Sequence, residues 1–136
     1  MTAVGTVSAG VLLGYARAVL SGTTAMPKTR APRIAAVLAR QALEETVQQL
    51  CTSAGAPLSD ATMRSRLISL RFLVSRDHAG RIADLAEAAW NGLSGACHHH
   101  AFELTPTVGE VHGLINCVAE LTVFASTVAA KTADER

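Results

Sequence analysis

Aromatic residues make up only 4% of this 136-residue chain: one Trp, one Tyr and three Phe. Sheet cores draw on aromatic and β-branched side chains, so this shortage argues against an all-β fold. Charge is scarce too, at 17%, and nearly balanced: twelve basic and eleven acidic residues leave a net charge of +1. That balance excludes a broad basic face for nucleic acid or an anionic membrane. Cysteine is limited to Cys51, Cys97 and Cys117. An odd, sparse set builds no disulfide framework and reads as reduced thiols in a reducing compartment. No Lys or Arg precedes the apolar N-terminal stretch, so the basic start of a secretory signal is missing. Arg17 interrupts the roughly twenty uncharged apolar residues that a membrane span needs. A cytoplasmic protein without a membrane segment is therefore expected. The chain also lacks G-x-S-x-G, Walker A, G-x-G-x-x-G and paired carboxylates. Esterase, P-loop, hydride-transfer and glycosidase chemistry are left without support, and no cofactor is expected.

What the chain does have is small aliphatic mass. Hydrophobic residues make up 49%, mostly Ala, Leu and Val, which suits closely packed helices. Apolar residues recur at helical spacing in five segments, and an all-α, single-domain antiparallel bundle of about five helices over residues 1–136 is expected. The first helix spans 3–20, with the stripe Val4, Val7, Val11, Tyr15 and Ala18. Gly10 and Gly14 stand one turn apart, where another helix could approach closely. Residues 21–32 form a loop. The second helix, 33–50, buries a wide arc of Ile34, Ala35, Leu38, Ala42, Leu43, Val47 and Leu50. On its other side lie Arg33, Arg40, Gln41, Glu44 and Gln48, with Arg40 and Glu44 spaced to pair. Ser59 or Asp60 caps the third helix, whose core stripe is Met63, Leu67, Leu70 and Val74, with Arg64 and Arg71 beside it. Asp77 caps the fourth, which carries Ile82, Leu85, Ala86, Ala89, Leu93, Ala96 and Cys97 inward and ends within 98–101. Thr107 and Glu110 form a capping box for the fifth, with Val108, Val111, Ile115, Val118, Thr122 and Ala125 in one stripe. The charged tail, 131–136, is expected to fray.

The densest polar cluster is Asn91, Ser94, Cys97, His98, His99, His100 and Glu103, followed by Glu110 and His112. Consecutive helical residues point about 100° apart, so the three histidines cannot all face the core. Three readings compete. Imidazoles at a helix C-terminus interact well with the negative end of the dipole. Alternatively, they serve acid–base chemistry or ligand binding, since His titrates near neutral pH. A metal site from Cys97, a histidine and Glu110 or His112 is the third, although no C-x-x-C or H-E-x-x-H spacing is present; no metal is assigned. Arg30, Arg33 and Arg40 in one region, and Arg64, Arg66, Arg71 and Arg76 in another, could contact phosphates, but such arginines more often form a solvated surface. Cys97 and Cys117 read as small core hydrophobes, and Trp90 as a partial core anchor.

The order of these features resembles a family. Arg40-x-x-Leu43-Glu44 on a long early helix is followed by the leucine-rich helix with Leu67 and Leu70. Next come Trp90-x-x-Leu93-Ser94-x-x-Cys97-His98 and the Pro106-Thr107-x-x-Glu110 helix start. The pattern over 33–128 is similar to HEPN-type helical domains, small bundles common in bacterial defence and toxin–antitoxin systems. The resemblance implies a homodimer whose paired late helices line a cleft. Active members are metal-independent RNases with an arginine four to six residues ahead of a histidine; inactive members bind nucleotides, RNA or partner proteins. Here the late histidine is His98, with Asn91 or Ser94 as its polar partner, and no arginine occupies the matching stretch, Trp90 to Cys97. A literal match, Arg71-x6-His78, bridges the third and fourth helices.

The sequence thus points to a non-catalytic, HEPN-like homodimer that binds a protein partner or small ligand through Trp90, Asn91, Ser94, His98, His100, Glu103, Arg71 and His78. The alternatives are a metal-independent endoribonuclease using His98 or His99 on RNA, and a metal-binding sensor or hydrolase using Cys97, His98 and His112.

Overall fold

The computed structural model describes residues 7–56, 58, 60–74, 76–98 and 105–134, and Ala79 in its backbone alone. These residues form five helices: α1 (Ala9–Ser21), α2 (Ala31–Ser53), α3 (Met63–Leu73), α4 (Ala79–Cys97) and α5 (Val108–Asp134). The expected all-α bundle is the observed one, and no strand occurs among the described residues.

Helix α2 is the hub, packing against all four other helices. It can do so because Ala35, Ala36, Ala39 and Ala42 are fully buried. A side chain of one methyl lets neighbouring backbones approach on several sides at once. Leu43, Val47 and Leu50 continue that buried surface toward the C-terminus. Thr46 is fully buried among them and satisfies its hydroxyl by donating to the Ala42 carbonyl at 2.8 Å. From α4, Ile82, Ala86, Ala89 and Leu93 enter the same core; from α5, Val111, Ile115, Val118, Leu121 and Ala125. Leu67 and Leu70 anchor α3, with Met63 and Val74 half-buried at its ends.

The helix ends depart from several expectations. Helix α1 starts at Ala9, capped by Ser8, whose hydroxyl accepts from the Val11 N–H at 3.3 Å; Val4 lies outside the described residues. Its buried face is Leu12, Leu13, Ala16 and Val19, whereas Val7, Val11 and Tyr15 of the expected stripe are exposed. Both rows are apolar at helical spacing, and only packing against α2 and α5 selects between them. Among the described residues no neighbour comes within 4 Å of a Cβ built on Gly10 or Gly14, so none of the described helices makes the close approach expected there. Helix α2 begins two residues early, because Pro32 fits a first turn, where its missing N–H costs nothing. Ile34 is exposed and Leu38 half-buried. Thr62, rather than Asp60, caps α3, accepting from the Ser65 N–H at 3.1 Å; Ser59 lies outside the described residues. His78, not Asp77, is the N-cap residue of α4 and makes no side-chain capping bond. Thr107 caps α5 as expected, accepting from the Glu110 N–H at 3.0 Å, but Val108 in that first turn is exposed. Helix α5 continues through Asp134, into the tail expected to fray.

Helix α5 is long and apolar enough to cross a membrane, by length and composition. In this fold its most apolar stripe packs in the bundle core.

Glycine marks one tight helix crossing. A Cβ at Gly92 would stand 2.6 Å from a methyl of Leu114, so α4 and α5 pack closely there. Gly95, one turn on, faces open space. Urea unfolding followed by circular dichroism checks both features. Gly95→Ala should stabilise by about 0.5–1 kcal/mol through helix propensity. Ala39→Leu should destabilise by about 1–3 kcal/mol, because the seam has no room for the added carbons.

Candidate functional site

Two elements converge on one side of α4. Glu87, Trp90 or Asn91, and Ser94 recur at intervals of three or four, so they share a face, with His98 just past its end. Toward the start of that face stands α3; toward its end stands the polar stripe of α2.

Between α3 and α4 lies a cleft of about 490 Å³, lined by Arg64, Leu67, Ile68, Arg71, Glu87, Trp90 and Asn91. That volume falls within the range of ligand pockets, roughly 300–1,000 Å³. Four residues singled out from the sequence, Arg64, Arg71, Trp90 and Asn91, meet here. Arg71 donates to Asp84, and to Glu87 at 3.4 Å, tying α3 to α4. The two carboxylates stabilise its charged form, first by the hydrogen bond and charge of Asp84, so its pKa is raised further. The pair is largely exposed, and such surface ion pairs orient groups more than they stabilise. Ile68 is 56% exposed and Phe72, one turn further along α3, 83%. The cleft thus continues into an uncovered apolar ridge. Sequence reading missed that ridge because Leu67 and Leu70 already supply the inward face of α3.

Trp90 is the wall shared with α2. The Arg40 guanidinium sits 4.3 Å from the centre of its ring, a cation–π contact worth about 0.5–2 kcal/mol depending on desolvation. No Arg40–Glu44 ion pair forms among the described residues. Arg33, two turns earlier on α2, donates from Nη1 to the carbonyl oxygens of His98 and, at 3.5 Å, Ala96. These carbonyls end α4 and have no further turn to accept from, so a guanidinium there satisfies them and opposes the negative end of the dipole. Arg40 Nε and Ser94 Oγ in this seam, and Gln48 Oε1 two turns further along α2, are buried without a hydrogen bond among the described residues. Packing alone disfavours such groups, each costing about 1–3 kcal/mol.

Cys97 lies in the same seam. Burial pushes its thiol up, outweighing Arg40 and Arg33, which act the other way; Glu44 adds to the rise. A protonated thiol is a poor nucleophile, which fits a packing role. Burial raises the Cys51 thiol as well, against a smaller lowering by Arg66.

His98 is the exposed C-cap of α4, and its N–H donates to the Ser94 carbonyl at 3.3 Å. His99, His100 and Glu103 lie outside the described residues. His78 is elsewhere, at the start of α4. Its ring stands edge-on to Phe124 of α5, 5.4 Å between centroids, and lines a second cleft of about 550 Å³ with Asp77 and Lys131. Arg71 and His78, the two ends of the literal motif, therefore face different clefts. His112, exposed on α5, meets Asn116 at 3.4 Å. Among the described residues no three His, Cys, Asp or Glu side chains converge as a metal site would need, and Cys97, His98 and His112 do not form such a group.

No family model, curated protein or solved structure matches the chain.

The buried Cys51 and half-buried Cys97 thiols give a pH prediction. Their pKa values are raised in the fold above those of the unfolded chain, so the associated stability is fully present below the unfolded thiol value of about 8.5. It is lost as pH rises through the raised folded values. Chemical unfolding from pH 7 to 10 should show stability falling in the native sequence and falling less steeply in Cys51→Ala/Cys97→Ala.

Proposed function

We propose that this chain is a non-catalytic binding module, working as a homodimer and engaging a protein partner through the α3–α4 cleft. The observation that carries the reading is the cleft itself. It joins Arg71, Trp90 and Asn91 to Ile68, and the ridge continues to Phe72. Aromatic and arginine side chains in a partly enclosed cleft are the residue types that dominate binding energies at interfaces. An exposed Phe beside them is an apolar anchor that solvent disfavours. Arg71 is held in place by Asp84 and Glu87, so its guanidinium is ordered before a partner arrives, which lowers the entropy cost of binding. The chain's low charge and its exposed Val, Ile and Phe residues support self-association as well.

The resemblance to HEPN-type domains stands beside this reading. It is supported by the order of features alone: α4 ends on His98 and α5 opens on Thr107 and Glu110. In that setting the module belongs to a bacterial defence or toxin–antitoxin context and to the cytoplasm.

The test is co-purification from the native host with photo-crosslinking side chains. A crosslinker at Ile68 or Asn91 should capture one discrete partner, and Phe72→Ser should reduce capture at least about tenfold, as loss of an interface anchor does. Val123→Ser, an exposed apolar residue on α5, should leave capture unchanged. Equal capture with Phe72→Ser would sink the proposal.

A second reading has one observation in its favour. Arg33 from α2 stands beside His98, so an arginine absent from the local sequence is supplied across the fold. In a metal-independent endoribonuclease, His98 would take the 2′-hydroxyl proton of RNA and the guanidinium would oppose the developing negative charge. Purified protein would then cleave RNA in EDTA, and His98→Ala would lower the rate by about 100-fold or more. RNA left intact by the native sequence removes this reading.

A further inference from the structure

The cleft beside His78 holds about 550 Å³ and shares no lining residue with the α3–α4 cleft. The last turn of α2, the end of α3, the start of α4 and the C-terminal half of α5 meet around it. Its floor is apolar. Leu50 is buried, and Leu73, Val74, Phe124 and Val128 pack half-buried against the core. Its rim holds two full charges of opposite sign: Asp77, just ahead of α4, and Lys131, in the last turn of α5. Both are exposed, and neither side chain enters an ion pair or hydrogen bond among the described residues. Ser53 adds a half-buried hydroxyl that likewise has no hydrogen bond among the described residues. The hydroxyls of Thr127 and Thr132, by contrast, already donate to the Val123 and Val128 carbonyls.

We propose that this cleft binds a small zwitterion with an apolar body, a free α-amino acid with an apolar side chain. An apolar floor with a few polar groups at its edge is the make-up of small-ligand sites, and the volume lies within their usual range of roughly 300–1,000 Å³. The charges select the ligand class. A simple carboxylate would be attracted by Lys131 and repelled by Asp77, and a simple amine the reverse. A phosphate ester would set two negative charges beside Asp77 against a single lysine. A molecule carrying one charge of each sign offsets both groups at once: its ammonium donates to the Asp77 carboxylate and its carboxylate accepts from Lys131 Nζ. The Ser53 hydroxyl is a further donor for that carboxylate. The helix dipole accounts for a lysine at the end of α5, but not for an unpaired aspartate lining the same cleft. The apolar side chain of the ligand would lie on Leu73, Phe124 and Val128, covering surface that water now meets.

The experiment is titration calorimetry on the full chain at neutral pH with L-leucine and L-phenylalanine, each up to about 10 mM because ligands of so few atoms bind weakly. The comparison probes carry the same apolar bodies with one charge each: 4-methylpentanoate and 3-methylbutylamine, 3-phenylpropanoate and 2-phenylethylamine. At least one amino acid should bind saturably, and both of its single-charge analogues should bind about tenfold or more weakly, as loss of a hydrogen bond to a charged group implies. Asp77→Asn and, separately, Lys131→Met should each weaken the amino acid by a similar factor. Both positions are exposed, so circular dichroism should be unchanged. Lys28→Met, at an exposed lysine outside the cleft, and Phe72→Ser on α3 should leave this binding as it is. Binding by neither amino acid would overturn the inference. So would an analogue that binds as tightly as its amino acid, or an Asp77→Asn or Lys131→Met chain that binds as tightly as the native one. None of these results bears on partner capture at the α3–α4 cleft.

Discussion

The buried alanines of α2 set the terms for the rest of the molecule. Ala35, Ala36, Ala39 and Ala42 occupy successive turns of a helix that touches every other helix. A helix surrounded in that way leaves little radius for side chains, and alanine is the residue that fills it without a void or a clash. The larger apolar residues are displaced outward along the neighbours, where Ile82, Leu93, Ile115 and Leu121 close the core.

Surrounding one helix with four has a polar consequence. The stripe of α2 that carries Arg33 and Arg40 would be solvent-facing on a peripheral helix, but here it meets the last turns of α4. Its arginines are therefore turned to local work: Arg33 holds the last carbonyls of α4 and Arg40 lies over Trp90. Trp90 is thereby fixed as a wall between the α2 seam and the α3–α4 cleft. The site is built on packed helices rather than loops, which favours a preformed binding surface over a mobile one.

Much of the core was legible in the sequence. Leu67 and Leu70 on α3, Ile82 to Ala96 on α4, and Val111 to Ala125 on α5 are inward because each of those helices has one dominant apolar stripe. Helix α1 was misread because it has two. Val7, Val11 and Tyr15 repeat as regularly as Leu12, Ala16 and Val19, and periodicity carries no information about which row meets a neighbour. The candidate site divides in the same manner. Trp90, Asn91 and Arg71 stood out by residue type, and Arg64 by its place beside the stripe. Ile68 and Phe72 did not, since an apolar residue on an amphipathic helix draws notice only when it is found outside. The start of α3 was displaced because Thr62 and Asp60 are both competent caps, and hydrogen-bond geometry alone decides between them.

The sequence by itself determined the class of fold, the number of helices and most inward faces, because these follow from local propensity and from periodicity within each segment. It also determined the low, balanced charge. The tertiary structure decided everything that depends on two distant segments meeting. It placed Arg33 at the carbonyl of His98 and Arg40 over Trp90, separated Arg71 from His78 into different clefts, and left the ridge of α1 outside. Each of these joins residues on different helices, so each is fixed by packing geometry that no local pattern encodes.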